Sequence, residues 1–183
     1  DNVIGASFGG ARALATMKHV GVNVAADSLM SVSYTGVNGG LVLVSADDPG
    51  AFSSQNEQDN RQYARFGKFP CVDPSDSEDA RRFVGIALEL SEQFGGPVLL
   101  RLTTRICHSK TIVRTRPPSG TQRELGYERD IPQRVMIPAY ARSAHKRMRQ
   151  RLDQGEAWNE QGELIDESPG ESSLGIITSG IAA

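Results

Sequence analysis

The sequence has few of the residue types that define several large classes of protein. Its two cysteines, Cys71 and Cys107, cannot supply a four-cysteine zinc or iron–sulfur site. They form no disulfide framework either, so we expect a reducing, cytoplasmic location. The three histidines, His19, His108 and His145, lie in separate segments without the spacing of metal ligands. No metal site is therefore predicted within the chain.

Long apolar runs and an excess of one charge are also missing. No run approaches the ~20 apolar residues that a membrane-spanning helix needs, and the N-terminus lacks the pattern of a signal peptide. A net charge of -2 over 183 residues gives no electrostatic case for nucleic acid or an anionic membrane. The phosphate-binding patterns GxGxxG and GxxxxGK(S/T) do not occur. We expect a soluble protein that binds neither nucleic acid nor membrane.

Two apolar runs with an amphipathic helix between them indicate the fold. Residues 41–45 and 97–102 are typical of buried parallel strands. A capping box, with Ser75 as N-cap and Glu78 three residues later, opens the helix between them. Its apolar residues recur at helical spacing and are Phe83, Ile86, Ala87, Leu90 and Phe94. Strand, helix and strand in this order predict an α/β fold with a doubly wound, mainly parallel sheet.

The remaining elements are shorter. We expect a helix within residues 3–15, a strand end or turn over 16–23, and a short helix over 24–33. A further helix is predicted to begin near residue 60 and to end near Gly67.

Composition divides the chain into three parts. Residues 1–113 carry the α/β pattern, and residues 114–172 have linker composition around a basic helix. That helix is predicted to be a solvated interdomain helix rather than a nucleic-acid patch, because an acidic segment follows it. Residues 173–183 are typical of the first strand of a following domain. Because residue 1 is not methionine and a lone strand cannot bury its faces, we expect both ends to be truncated.

Nine polar or charged residues at 53–61 follow the first apolar strand and form the candidate site. Ligands of open α/β sheets bind outside the carboxyl ends of the strands, and ordering a polar loop costs conformational entropy unless it holds something. Arg61 could grip a carboxylate or phosphate in bidentate fashion; alternatively it pairs with Asp59 or Glu57. A solvated loop remains the alternative for the whole segment.

Other polar residues nearby are weaker candidates. Lys18 and His19 are predicted to point to opposite faces of a strand, one toward a ligand, or else to form a surface pair. Asp47 and Asp48 resemble an acid–base pair, but beside Pro49 and Gly50 they are better turn formers. No complete catalytic set is evident.

Two strings are specific enough to indicate a family, MKHVG at 17–21 and SSQNEQDNR at 53–61. They resemble the N-terminal part of the large (alpha) subunit of the indolepyruvate:ferredoxin oxidoreductases, a family of thiamine-diphosphate-dependent 2-oxoacid:ferredoxin oxidoreductases. Shorter matches are GASFGGARA at 5–13, YTG at 34–36, DDPG at 47–50, PVLLR at 97–101, TTR at 103–105, VMIPA at 135–139 and LGIITSG at 174–180. The resemblance covers nearly the whole chain.

The resemblance implies oxidative decarboxylation of an aryl pyruvate with coenzyme A, giving an aryl-acetyl-CoA, carbon dioxide and two reduced ferredoxins. It implies a pyrimidine-binding domain over 1–113, a transketolase C-terminal-like domain after it, a small partner (beta) subunit and an oligomeric assembly. Thiamine diphosphate would carry out the decarboxylation, and the protein would position the cofactor. The magnesium site and the 4Fe–4S clusters would lie beyond Ala183, so this part alone should be inactive.

The same resemblance suggests roles for individual residues. The glutamate that activates the cofactor would fall before Asp1, so no catalytic residue is expected within the chain. Arg61 would hold the carboxylate of the 2-oxoacid, and the residues that would line the substrate beside it are Lys18, His19 and Asn23. Thr35 and Gly36 would approach the pyrimidine ring of the cofactor.

Two other interpretations stay open. One is a sister enzyme that acts on branched-chain 2-oxoacids or 2-oxoglutarate, against which the MKHVG string argues. The other is an interaction module that kept the fold and lost the chemistry. An upstream glutamate and downstream cysteine clusters in the reading frame would favour an enzyme.

Overall fold

The computed structural model describes residues 1–115, 117, 125–162, 164–171 and 173–183. Of the predicted linker 114–172, residues 116, 118–124, 163 and 172 therefore lie outside the described residues. The helices and strands, in chain order, are α1 Asn2–Phe8, β1 Ala13–Lys18, α2 His19–Thr35, β2 Leu41–Asp47, α3 Arg61–Gly67, β3 Cys71–Val72, α4 Ser77–Phe94, β4 Val98–Thr103, α5 Thr104–His108, α6 Ile131–Arg134 and α7 Pro138–Asn159.

The four strands form one parallel sheet in the order β1-β2-β4-β3. A helix follows β1, β2 and β3 before the next strand begins, as parallel pairing requires a crossover connection. The sheet therefore has all its carboxyl ends on one edge, which we call the C-terminal edge. The predicted α/β fold with a parallel, doubly wound sheet is confirmed.

Alternating side chains of the central strands build a separate hydrophobic core on each face of the sheet. Leu41 and Leu43 of β2 lie in the core that contains Val22, Leu29 and Val32 of α2. Val42 and Val44 lie in the opposite core, together with the α4 residues Phe83, Ala87, Leu90 and Phe94. Because β2 and β4 are buried on both faces, they appear in the sequence as continuous apolar runs.

Helix α4 is present as predicted, but its N-cap residue differs from the predicted one. Asp76, not Ser75, is the N-cap, and its carboxylate accepts a hydrogen bond from the Asp79 N–H at 2.8 Å. Gly95 ends the helix in the left-handed conformation, with φ of 65°, which glycine adopts without steric penalty. The predicted helix from residue 60 to Gly67 is confirmed as α3.

Strand β1 was not predicted as such. Residues 13–18 form a regular edge strand paired with β2, but their sequence, ALATMK, has small residues and no β-branched run. Helix α2 also begins earlier than expected, at His19 rather than residue 24. Lys18 and His19 are therefore not neighbours on one strand, and the prediction that they point to opposite faces of a strand is wrong.

Helix α7, the predicted interdomain helix, lies against the sheet domain. Ala144 and Met148 are buried, His145 stacks against Tyr34 with ring centroids 6.0 Å apart, and Arg151 donates to the Gly95 carbonyl at 3.0 Å. The helix is thus not fully solvated, which corrects that prediction. The described part of 173–183 contains a short 3-10 helix, Gly180–Ala182, and no strand; the division into domains stays a prediction.

The turn before β2 leaves no room for a side chain at Gly39. A Cβ there would lie 2.1 Å from the Ala11 carbonyl oxygen, so Gly39→Ala forces the backbone apart. We expect it to lower the free energy of unfolding by about 1–3 kcal/mol, the usual cost of overpacking. Gly85→Ala is the matched control, because a Cβ at that helical position meets nothing within 4 Å; it should raise stability by about 0.5–1 kcal/mol. Urea unfolding of both variants measures the difference, and equal effects would contradict the close approach.

Candidate functional site

Polar side chains gather at the C-terminal edge of the sheet. Strands β1, β2 and β4 end there at Lys18, Asp47 and Thr103. The loop 48–60 runs over this edge from β2 to α3. Hydrogen bonds from the loop to both Lys18 and His19 fix its course. The structure thus places the predicted polar loop where open α/β sheets bind ligands.

A buried ion-pair cluster lies beneath the loop. Arg101 of β4 donates from Nε to Asp47 Oδ2 at 2.7 Å and from Nη1 to Asp73 Oδ2 at 2.9 Å. The side chain of Asp47 is 0% exposed and that of Arg101 is 8% exposed. Because a buried charge is costly without a partner, each of these residues depends on the others.

Burial affects the members of this cluster differently. Burial alone would lower the pKa of Arg101, but its hydrogen bond to Asp47 and the charge of Asp73 outweigh that effect and raise it. For Asp73, burial is the largest influence and raises the pKa of the carboxyl, while Arg101 opposes the shift. One oxygen, Asp73 Oδ1, is buried without a hydrogen-bond partner. Gly180 lies against this carboxylate, since a Cβ on it would be 2.8 Å from Asp73 Oδ2.

Asp47 also anchors the end of the loop. Its Oδ2 accepts the Asn60 backbone N–H at 3.0 Å, and its Oδ1 accepts the Ser45 hydroxyl at 2.7 Å. The Asn60 amide donates to Ser45 Oγ at 2.8 Å and to the His19 carbonyl at 3.1 Å. Asp47 is thus the last residue of a buried strand and the centre of a polar network. The expectation that it only forms a turn is wrong.

The imidazole of His19 contacts the loop and is shielded from solvent. Its side chain is fully buried, with Nε2 3.0 Å from the Asn56 carbonyl oxygen and Nδ1 3.4 Å from the Ala46 carbonyl oxygen. The ring therefore ties the loop to the end of β2.

Asn23 and Lys18 hold the outer part of the loop. The Asn23 amide donates to Gln58 Oε1 at 2.8 Å and accepts from Gln58 Nε2 at 3.1 Å, and its oxygen also accepts from the Tyr63 hydroxyl. Lys18 Nζ lies 3.3 Å from Gln55 Oε1. The loop is therefore in contact with Lys18, His19 and Asn23. That these three residues contact a substrate stays a prediction.

Arg61 begins α3 directly after the loop. Its guanidinium donates to Asp59 from Nε and Nη2, both at 2.8 Å, and Nη1 lies 3.9 Å from Asp73 Oδ2. The side chain is 47% exposed. The ion pair with Asp59 is the alternative that the sequence left open, and its hydrogen bonds hold the pKa of Asp59 below the usual value.

Thr35 and Gly36 lie at the opposite edge of the sheet. They precede β2, and the Val37 N–H donates to the Gly95 carbonyl next to the start of β4. Arg134 Nη1 donates to the Thr35 carbonyl at 3.1 Å and to the Gly36 carbonyl at 3.3 Å. Thr35 is buried, so neither residue presents a free polar group in this structure. Their contact with a cofactor stays a prediction.

Neither Arg101 nor Asp73 was predicted from the sequence as a site residue. Arg101 lies inside an apolar strand, and Asp73 lies in a short segment before α4. The one signal was the charge itself: an arginine within Val98–Thr103 needs a buried acid. Arg105, the second residue of α5, is exposed.

No group of three or more metal-ligating side chains occurs among the described residues. Burial raises the pKa of the Cys71 thiol to about 12, so this cysteine disfavours the thiolate form that metals and clusters bind. Within the described parts of the chain, no helix is long and apolar enough to cross a membrane.

Comparison with known proteins gives close relatives of one kind. The chain is 42% identical over 180 residues to indolepyruvate oxidoreductase subunit IorA of Archaeoglobus fulgidus, covering 98% of this chain. It is 44% identical over 182 residues to the protein of that name from Methanothermobacter thermautotrophicus, and 42% identical over 188 residues to that from Pyrococcus abyssi. The match covers 96% and 100% of this chain, respectively. The chain spans about 29% of the length of each of these relatives.

Other comparisons add little. No protein-family profile matches the chain. Among solved structures, a transketolase mutant from Pichia stipitis aligns with a TM-score of 0.39 at 17% identity, over 81% of this chain and 24% of that one. So weak a likeness carries no inference.

The buried cluster makes Asp47 the residue on which the edge depends. Asp47→Asn leaves Arg101 buried with only part of its counter-charge, so we expect the free energy of unfolding to fall by about 3–5 kcal/mol. Asp27→Asn makes the same chemical change at an exposed position and should stay within about 0.5 kcal/mol of the parent. Urea unfolding of both measures this, and equal losses would show that the ion pair is not decisive.

Asp48 titrates separately from the cluster. The Ser53 N–H and then the Thr104 hydroxyl donate to its carboxylate and lower its pKa to about 2. Because the folded-state pKa is depressed, the ionised form stabilises the loop above about pH 4, and this stability is lost as the pH falls through about 2. A carboxyl-carbon NMR titration should give a midpoint near that value, and Thr104→Val should raise it. A midpoint at the ordinary aspartate value would contradict the hydrogen bonding.

Proposed function

Because the chain is homologous over nearly its whole length to part of indolepyruvate oxidoreductase subunit IorA, we propose that it belongs to an enzyme that oxidatively decarboxylates aryl pyruvates. The substrate is indolepyruvate, coenzyme A accepts the acyl group as a thioester, and two ferredoxins take up the electrons. Thiamine diphosphate is the cofactor. The protein works in the cytoplasm with a small partner subunit.

The sequence identity of 40–44% to six relatives is the observation that carries this proposal. The matches cover 84–100% of the chain. The structure of the chain also contains a polar site. The site lies at the C-terminal edge of the sheet and contains the exposed cation Arg61. The guanidinium of Arg61 can bind the carboxylate of an anionic 2-oxoacid through charge-assisted hydrogen bonds.

The described residues do not show a place for the cofactor itself. The carbonyl oxygens of Thr35 and Gly36 accept hydrogen bonds from Arg134, whose Nε is itself buried without a hydrogen-bond partner. Magnesium and the 4Fe–4S clusters would likewise be held by residues outside this chain.

The role proposed for this chain is to hold and orient the substrate. Arg61 binds the carboxylate of the 2-oxoacid, which is the group that leaves as carbon dioxide. Lys18, on the neighbouring strand end, adds a second positive charge to the same edge. Holding the carboxylate fixes the direction of the carbon–carbon bond that breaks, which lowers the entropy cost of the reaction.

Removal of the guanidinium tests this role. Arg61→Ala should raise KM for indolepyruvate by roughly 10- to 100-fold, the loss of one charge-assisted hydrogen-bonded contact. Binding of thiamine diphosphate should not change. The measurement is anaerobic, indolepyruvate-dependent reduction of ferredoxin or a viologen dye by the native, cluster-loaded protein with its partner subunit.

Arg65→Ala is the matched control, because this arginine is exposed one turn later on α3. It should leave KM unchanged. An unchanged KM in Arg61→Ala would refute the substrate-binding role. No turnover of indolepyruvate, branched-chain 2-oxoacids or 2-oxoglutarate by the intact protein would refute the enzyme class.

A further inference from the structure

The carboxylate-binding face of Arg61 is already occupied by a carboxylate of the chain. Asp59 accepts from Nε and Nη2 at 2.8 Å each, and its Oδ1 also accepts the Arg61 backbone N–H at 3.1 Å. This side-on, two-bond geometry is the one in which a guanidinium binds a carboxylate best. A 2-oxoacid that approaches Arg61 therefore needs the same donors that Asp59 holds.

The charges around Arg61 also argue against simple addition of a ligand. Two guanidiniums, those of Arg61 and Arg101, face three carboxylates, which are Asp47, Asp59 and Asp73. A ligand carboxylate would raise the excess of negative charge from one to two within a partly buried cluster. Like charges at such distances repel strongly where water is scarce. One carboxylate must move away when the ligand binds.

Exposure identifies which carboxylate moves. The Asp47 side chain is 0% exposed and that of Asp73 is 13% exposed, whereas Asp59 is 38% exposed. Asp47 also holds the loop through Asn60, so it cannot leave without disrupting the edge. The side chain of Asp59 contacts Arg61 and, at 3.8 Å, Arg101. It can turn toward water without breaking a buried hydrogen bond.

We propose that Asp59 is an internal competitor of the substrate carboxylate for the guanidinium of Arg61. In the protein without substrate, Asp59 accepts hydrogen bonds from Nε and Nη2 of Arg61 and holds the guanidinium at the end of the loop. When a 2-oxoacid binds, its carboxylate replaces that of Asp59 on Nε and Nη2. Asp59 is therefore a positioning residue that sets the affinity for anionic substrates, and this inference rests on the role proposed above for Arg61.

Loss of the competitor should tighten the binding of carboxylates. An exposed ion pair contributes about 0.2–1 kcal/mol, so Asp59→Asn should lower KM for indolepyruvate by about 1.4- to fivefold. The inhibition constant of indole-3-acetate, a carboxylate without the keto group, should fall by the same factor. The kcat value should change by less than about twofold, since Asp59 acts on binding and not on bond breaking.

Three comparisons in the native protein separate this effect from general electrostatics and misfolding. Glu57→Gln removes the same charge from the same loop, at an exposed residue that does not contact Arg61 among the described residues; it should leave both constants unchanged. Asp59→Asn in an Arg61→Ala background should have no effect, because nothing is left to compete for. Asp59→Ser repeats the test with a smaller side chain, and circular dichroism checks its fold.

Each outcome decides the inference. Tighter binding in Asp59→Asn that disappears without Arg61 supports it. Unchanged or weaker binding, or equal tightening in Glu57→Gln or in the Arg61→Ala background, overturns it. If Arg61→Ala weakens binding and Asp59→Asn does not tighten it, the inference fails while the proposed function stands. If Arg61→Ala has no effect, the proposed role fails and the inference fails with it.

Calorimetric titration of indole-3-acetate makes the same comparison without turnover. It should show the same gain in affinity, about 1.4- to fivefold, in Asp59→Asn. Absence of binding in every variant would overturn the inference.

Discussion

The buried ion pair between Arg101 and Asp47 is the interaction on which the C-terminal edge of the sheet depends. The two residues lie on adjacent central strands and are in contact at 2.7 Å. Asp47 also accepts the backbone N–H of Asn60, the last residue of the loop, and Arg101 also binds Asp73, beyond β3. One pair of opposite charges thus joins three strands and a loop. Desolvation makes each partner indispensable to the other.

The ordered loop is a consequence of this pair. A polar segment of this composition would lose conformational entropy on folding with little apolar burial in return. His19, Asn23 and Asn60 compensate with hydrogen bonds to the loop and to the strand ends. At the top of this network Arg61 remains about half exposed. This hydrogen-bonded base leaves the guanidinium of Arg61 accessible at the same edge as the exposed Lys18, and in the proposed role Asp59 sets how easily an anion reaches Arg61.

The sequence predicted the elements whose pattern is local. Strands β2 and β4 are continuous apolar runs, and α4 has its apolar residues at helical spacing, so each was found from a short window. Strand β1 was missed because it is an edge strand with half its side chains exposed. The helical start of His19 was missed because no capping side chain marks it. Strand β1 forms because β2 supplies its backbone hydrogen bonds.

By itself, the sequence determined the α/β class, the polar loop and Arg61 as its cation, because hydrophobic period and residue type are written locally. Only the tertiary structure decided which charges meet. Arg101 and Asp47 are separated by 54 positions, and no spacing rule joins them. Parallel pairing in a fixed register sets β2 beside β4 and thereby brings the two charges together. The two residues form a site because the pairing of β2 with β4 brings them into contact, and not because they are close in the sequence.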